Sequence, residues 1–125
     1  ADQEGSPATE VLVNGGTVQD VRETGAPTGT LIEVRDLFFN VPARRKFMRS
    51  HETELTHVRS TFIIQALSCP GIGMSLTVDG REMYRLAPGE RTDRIRELFG
   101  PEFMEKMMPV SFDSGALTVS GFVSR

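Results

Sequence analysis

Arg44, Arg45, Lys46 and Arg49 put four cations within six residues, with no acid among them. A guanidinium offers two parallel donors that match a phosphate, so such a run can hold a phosphate backbone. A run this short also reads as a solvated helix face, and Arg44 could instead pair back to Asp36 or Glu33. Upstream, Gly29-Thr30 sets a hydroxyl beside a flexible backbone position. A hydroxyl both donates and accepts, so it can bridge a carboxylate and a water, although Gly-Thr can equally well just open a β-strand. His51 and His57 are six apart, a poor spacing for one helix face. No cysteine or carboxylate completes a metal set around them, which leaves surface or capping roles. Cys69 is the only cysteine, excluding an internal disulfide and a cysteine-rich zinc site. Beside Pro70 at a helix end it reads as a buried, inert thiol rather than a nucleophile. Met104, Met107 and Met108 read as core or interface filling. There is no P-loop, and Asp79-Gly80 reads as a turn.

The composition allows a folded setting for these residues. The chain has 125 residues, 38% hydrophobic and 25% charged, which describes a globular protein rather than a disordered one. Its net charge of −3 gives the whole chain no pull on nucleic acid, so binding of that kind needs a local patch. No apolar run approaches the ~18 residues of a membrane span. The opening ADQEGSPATE is polar and acidic, unlike a signal peptide, and lacks an initiator Met, so the chain reads as a piece of something longer.

The pattern predicts the elements that must position the candidates. Thr9 to Val13 and Thr17 to Val21 read as strands around an Asn14-Gly15-Gly16 turn. Glu23 to Thr28 reads as loop, and the alternation over Thr30 to Asp36 predicts a strand. Asn40 is a good N-cap and Pro42 suits a first turn, predicting a helix over Val41 to Phe47 with Ala43 and Phe47 facing the core. On that helix Lys46 lies toward the rim, and Arg49 reaches outward past its end. Ser50 can cap a longer helix whose apolar face is Leu55, Val58, Phe62, Ile63, Ala66 and Leu67, ended by Pro70-Gly71. Ile72 to Val78 and Arg81 to Leu86 read as a hairpin with a type I′ turn. After a hinge at Pro88-Gly89 come a helix over Thr92 to Phe99, a second over Pro101 to Met107, and strands at Val110 to Phe112 and Leu117 to Val123. The order implies an α+β fold with helices over one face of a mixed sheet.

One stretch is far more specific than pattern. Gly29-Thr30, Glu33-Val34-Arg35-Asp36-Leu37-Phe38, Asn40 and Pro42-Ala43-Arg44-Arg45-Lys46-Phe47 resemble G-T-x-x-E-V-x-x-L-F-x-N-x-P-A-R-x-K-F, a motif of the MutL family of DNA mismatch-repair ATPases. The resemblance implies the C-terminal part of a Bergerat-fold (GHKL) ATPase layer over residues 1–89. Residues 90–125 would then start a ribosomal-S5-like transducer domain. It assigns Gly29 and Thr30 to the nucleotide site, with the Thr30 hydroxyl joining an Asp and ordered waters around the adenine. It makes Asn40-x-Pro42-Ala43 a mechanical corner, and Arg44, Arg45, Lys46 and Arg49 a DNA contact.

The cofactors it implies are ATP and Mg2+ in the intact parent, with none held tightly by this chain alone. The implied partners are DNA, a mismatch-recognition protein of the MutS type, and a second copy or a paralogue; no membrane is implied. The parent would be cytoplasmic and nucleoid-associated in a bacterium, or nuclear in a eukaryote. Its activity would be slow ATP hydrolysis driving dimer closure. The family's general-base Glu, magnesium-binding Asn and Gly-rich lid motifs are not in these residues, and its phosphate-sensing Lys belongs to the second domain. The chain alone is therefore expected not to hydrolyse ATP, since loss of a general base by itself costs ~10²–10⁴-fold. Turnover by pure chain, abolished by a point change within it, would refute that. Two other readings stay open. One is another ATPase of the superfamily, such as a type II topoisomerase subunit, which the F-x-N-x-P-A-R-x-K-F run disfavours. The other is a stand-alone nucleic-acid-binding module without ATPase activity.

Overall fold

A computed structural model of the chain describes residue 1 and residues 3–124. It divides into two compact units, Ala1–Arg49 and Ser50–Arg125. The first holds β1 (Ala8–Asn14), β2 (Thr17–Thr24) and α1 (Pro42–Phe47). The second holds α2 (His51–Ser68), β3 (Met74–Val78), β4 (Arg81–Leu86), α3 (Arg91–Phe99), α4 (Pro101–Glu105), β5 (Met107–Asp113) and β6 (Thr118–Ser124). The class is α+β. Among the described residues the strands form three two-stranded antiparallel ladders, β1–β2, β3–β4 and β5–β6, rather than joining in one sheet.

In the first unit, Gly15 and Gly16 have φ of 58° and 91°, supplying the left-handed backbone that a tight hairpin needs. Val11 opposes Val21 and Val13 opposes Val18 across the ladder, and Arg22 bonds Glu10 at 2.9 Å. These valines stay exposed, and Ala8 is the unit's one buried apolar residue among those described. The strand expected over Thr30 to Asp36 is not formed. The alternation is present, but a strand exists only through a ladder partner, and no strand pairs with it. Leu31, Ile32 and Val34 are left 93%, 81% and 71% exposed. A lone hairpin with so little burial is marginal in water. In the 125-residue chain, the β1–β2 amides should therefore exchange about 100-fold or more faster than the central amides of α2. Hydrogen exchange read by mass spectrometry checks this; equal protection would show a core in the first unit that the burial pattern does not contain.

The chain enters α1 through a tight corner. Asp36 and Phe38 have φ of 49° and 65°, and Phe39 N–H and Val41 N–H donate to Asp36 O and Phe38 O at 2.9 and 3.1 Å. Asn40 does not cap the helix. Val41 takes that position without a side-chain bond. The Asn40 side chain, with the Phe39 ring tip, instead lies against the β1–β2 turn, about 3.7 Å from where a Cβ on Gly15 would sit. Ala43 and Phe47 do not face a core: both are exposed, Phe47 by 86%. A six-residue helix on a unit without a core has nothing to turn them toward.

In the second unit, Ser50 caps α2 as expected, its Oγ accepting from Thr53 N–H at 3.3 Å. The predicted apolar face is at least half-buried at Leu55, Phe62, Ile63, Ala66 and Leu67, while Val58 is exposed. Phe62 stacks on Tyr84 of β4 with ring centroids 5.4 Å apart, and Arg59 donates to the Tyr84 hydroxyl at 3.3 Å. Asp79 and Gly80 both have positive φ, as a type I′ turn requires. The helix expected to run to Met107 ends at Glu105, and Met107 opens β5. Cys69 is exposed, not buried as expected: it is the C-cap residue at the end of α2.

Candidate nucleotide and DNA site

The sequence candidates all lie in the first unit. Gly29 has φ of 132°, and a Cβ there would meet nothing within 4 Å. Glycine serves the backbone at this point, not a shortage of room. Its N–H donates to Ala1 O at 2.9 Å, which ties the loop before Thr30 to the start of the chain. Thr30 follows outside any helix or strand, exposed. Further along, Arg35 Nε bonds Glu33 Oε1 at 2.8 Å. That bond holds the Glu33 carboxyl below the usual carboxylate range. It also occupies one of the acids that could have neutralised Arg44.

Arg44, Arg45 and Lys46 occupy the last turn of α1, where cations complement the negative end of the helix dipole. All three are exposed, and among the described residues none pairs with an acid. Arg49 differs: it is already engaged within the chain, so it is not the free outward arm the sequence suggested. Three consecutive residues point ~100° apart around a helix, so Arg44, Arg45 and Lys46 form a fan rather than one flat patch.

No group of three His, Cys, Asp or Glu among the described residues could hold a metal ion. No helix among them is long and apolar enough to cross a membrane. In the second unit a wide, shallow cleft of about 480 Å³ is lined by Pro70, Glu90 to Thr92, Pro109, Val110 and Ser120 to Phe122. None of the sequence candidates borders it.

The residue that sequence reasoning missed is Arg94, on α3. Its side chain is 1% exposed. Nη1 donates to Ala66 O at 2.8 Å, and Nη2 to Pro70 O, Ile72 O and Ala87 O at 2.9, 2.8 and 2.8 Å. The cause lies in Pro70. Ala66 O would ordinarily accept from the N–H four residues on, which proline lacks. Arg94 supplies that bond from another helix, together with the cation that the last turn of α2 does not have. A sequence signal existed, a proline just past a helix end with no local cation, but it does not say which distant residue answers it.

No family model matches the chain. It is 43% identical over 119 residues to the DNA mismatch repair protein MutL of Opitutus terrae, covering 94% of this chain and 19% of that protein. It is 40% identical over 116 residues to MutL of a Geobacter species, strain M21, covering 93% and 18%. Among solved structures it resembles the Aquifex aeolicus MutL ATPase domain complexed with ADP, with a TM-score of 0.83, 34% identity, and 95% of this chain against 47% of that one. The ATPase domain of the bacterial mismatch repair endonuclease Aquifex aeolicus MutL gives 0.79 and 32%, with 98% and 46% covered. The chain thus spans about a fifth of the curated relatives and about half of the solved domains. With this likeness running through nearly its whole length, the chain belongs to the MutL family of DNA mismatch repair proteins.

Proposed function

We propose that the chain is part of a protein that binds and slowly hydrolyses ATP, closing a dimer around DNA and coupling mismatch recognition to later repair steps. The observation that supports this most is the likeness of 95% of the chain, at a TM-score of 0.83, to a MutL ATPase domain complexed with ADP. A stand-alone nucleic-acid module accounts for that likeness poorly. In this reading Gly29 and Thr30 border the adenine. The Thr30 hydroxyl, without a hydrogen-bond partner among the described residues, joins an Asp and waters from the rest of the domain. Mg2+ accompanies the ATP, held by side chains other than the described ones. The parent would work in the bacterial cytoplasm, beside DNA, with a mismatch-recognition partner of the MutS type and a second copy of itself or a paralogue.

Thr30→Val in the intact protein tests the assignment. The change keeps the shape and removes the hydroxyl, leaving its partner short of one bond. Nucleotide binding should weaken by about 1–3 kcal/mol. Calorimetric titration with ADP reads this directly, and unchanged affinity would take Thr30 out of the site.

A further inference from the structure

We propose that Arg94 is a lock on the Pro88-Gly89 joint, making the end of α2, the β3–β4 hairpin and α3 turn as one rigid block. Proline followed by glycine between a strand and a helix is a sequence for a hinge. Here the step is held from both sides. Arg94 reaches back from α3 across it to Ala87 O, Ile72 O, Pro70 O and Ala66 O. Gly89 N–H donates to Pro70 O at 3.0 Å, so that one carbonyl serves both the joint and the guanidinium. Pro88 packs on Gly73, where a Cβ would come within 3.2 Å of its ring. Glu97, also on α3, accepts from Ala87 N–H at 3.4 Å and lies 3.5 Å from Arg94 Nε. Ala66, Leu86 and Ile95 are the buried apolar residues among those described in this unit.

The chemistry suits a lock better than a simple filler. Nη2 carries two hydrogens and faces three carbonyls, so its bonds are shared and hold only in one planar arrangement. A guanidinium spans all four oxygens, whereas an ammonium is a compact point charge that keeps one or two. The carbonyls belong to three separate stretches: the α2 terminus, the 70–72 turn and the residue that follows β4. Moving α3 relative to any one of them breaks the set.

The test is hydrogen exchange of the whole 125-residue chain, as wild type, Arg94→Lys and Arg94→Met. In wild type, amides of α3, Gly89 and the last turn of α2 should show protection within about threefold of each other, the mark of one opening unit. In Arg94→Lys, protection of α3 and Gly89 should fall about tenfold further than that of the middle of α2 and of β3–β4. Three results overturn the lock. One is wild-type protection in α3 that differs by more than about tenfold from the α2 terminus. A second is no loss in either variant. The third is an equal loss everywhere in Arg94→Lys, including its outright unfolding, which would make Arg94 a general core stabiliser. The wild-type measurement decides even if Arg94→Met does not fold.

Discussion

Arg94→Ala should remove most of the stability of the Ser50–Arg125 unit. The side chain is buried at 1% exposure and feeds four carbonyls. Pro70 O keeps its bond from Gly89 N–H. Ala66 O cannot recover a helical partner, because residue 70 is proline. Ile72 O and Ala87 O accept no other loop or turn bond among the described residues. Each buried carbonyl left without a donor costs about 1–3 kcal/mol, reduced where water can enter the space vacated. Three carbonyls, Ala66 O, Ile72 O and Ala87 O, are left in that state, about 3–9 kcal/mol together. At about 0.05–0.15 kcal/mol per residue, a unit of this size holds only about 4–11 kcal/mol in total. The loss is therefore comparable with everything the unit has. Urea denaturation followed by the helical circular dichroism signal should show a midpoint far below wild type, or no transition at all. Arg94→Lys should lie between, since an ammonium keeps part of the set. A midpoint within experimental error of wild type for Arg94→Ala would mean the four bonds carry no net stability.

How much of this was legible beforehand depends on how local the cause is. The hairpin turns at Gly15-Gly16 and Asp79-Gly80 were readable because those residue types accept left-handed backbone themselves, whatever lies around them. Ser50 was readable as a cap for the same reason: the bond it makes is to a residue three away. The Thr30 to Asp36 strand was misread because alternation records only that a segment could be half-buried, while pairing belongs to a partner that is absent among the described residues. Asn40 had the right chemistry for a cap and was drawn off by the β1–β2 turn, a contact between residues far apart in sequence. Arg94 lies at the far end of this scale. The carbonyls it feeds are 7 to 28 residues away, and nothing at position 94 announces them. The nucleotide and DNA candidates were read from a motif, which identifies a family without fixing a geometry. In the structure Gly29-Thr30 and the α1 cations share a unit.

Reversing the α1 cations should give the largest change in DNA binding. The expectation concerns Arg44→Glu, Arg45→Glu and Lys46→Glu together, in the intact protein. These three side chains are exposed and, among the described residues, unpaired, so they are available to phosphates. Arg49 is already engaged within the chain, so Arg49→Glu alone should do less. The fan geometry limits the effect. Side chains ~100° apart on a helix cannot all meet one phosphate backbone, and two neighbours among the three are the most that a duplex lying along α1 would touch. Each phosphate contact contributes about 0.7–0.9 to the slope of log affinity against log salt. Two lost contacts lower that slope by about 1.4–1.8, which amounts to about 25- to 60-fold in affinity at 0.1 M salt relative to 1 M. Phosphates carry no base information, so matched and mismatched duplexes should lose affinity equally. ADP affinity without DNA should stay unchanged, because these side chains are not assigned to the nucleotide site. Titrations at several salt concentrations separate the outcomes. An unaltered slope would mean that the cluster is a solvated face, and a loss confined to mismatched DNA would mean that the segment reads something other than backbone charge.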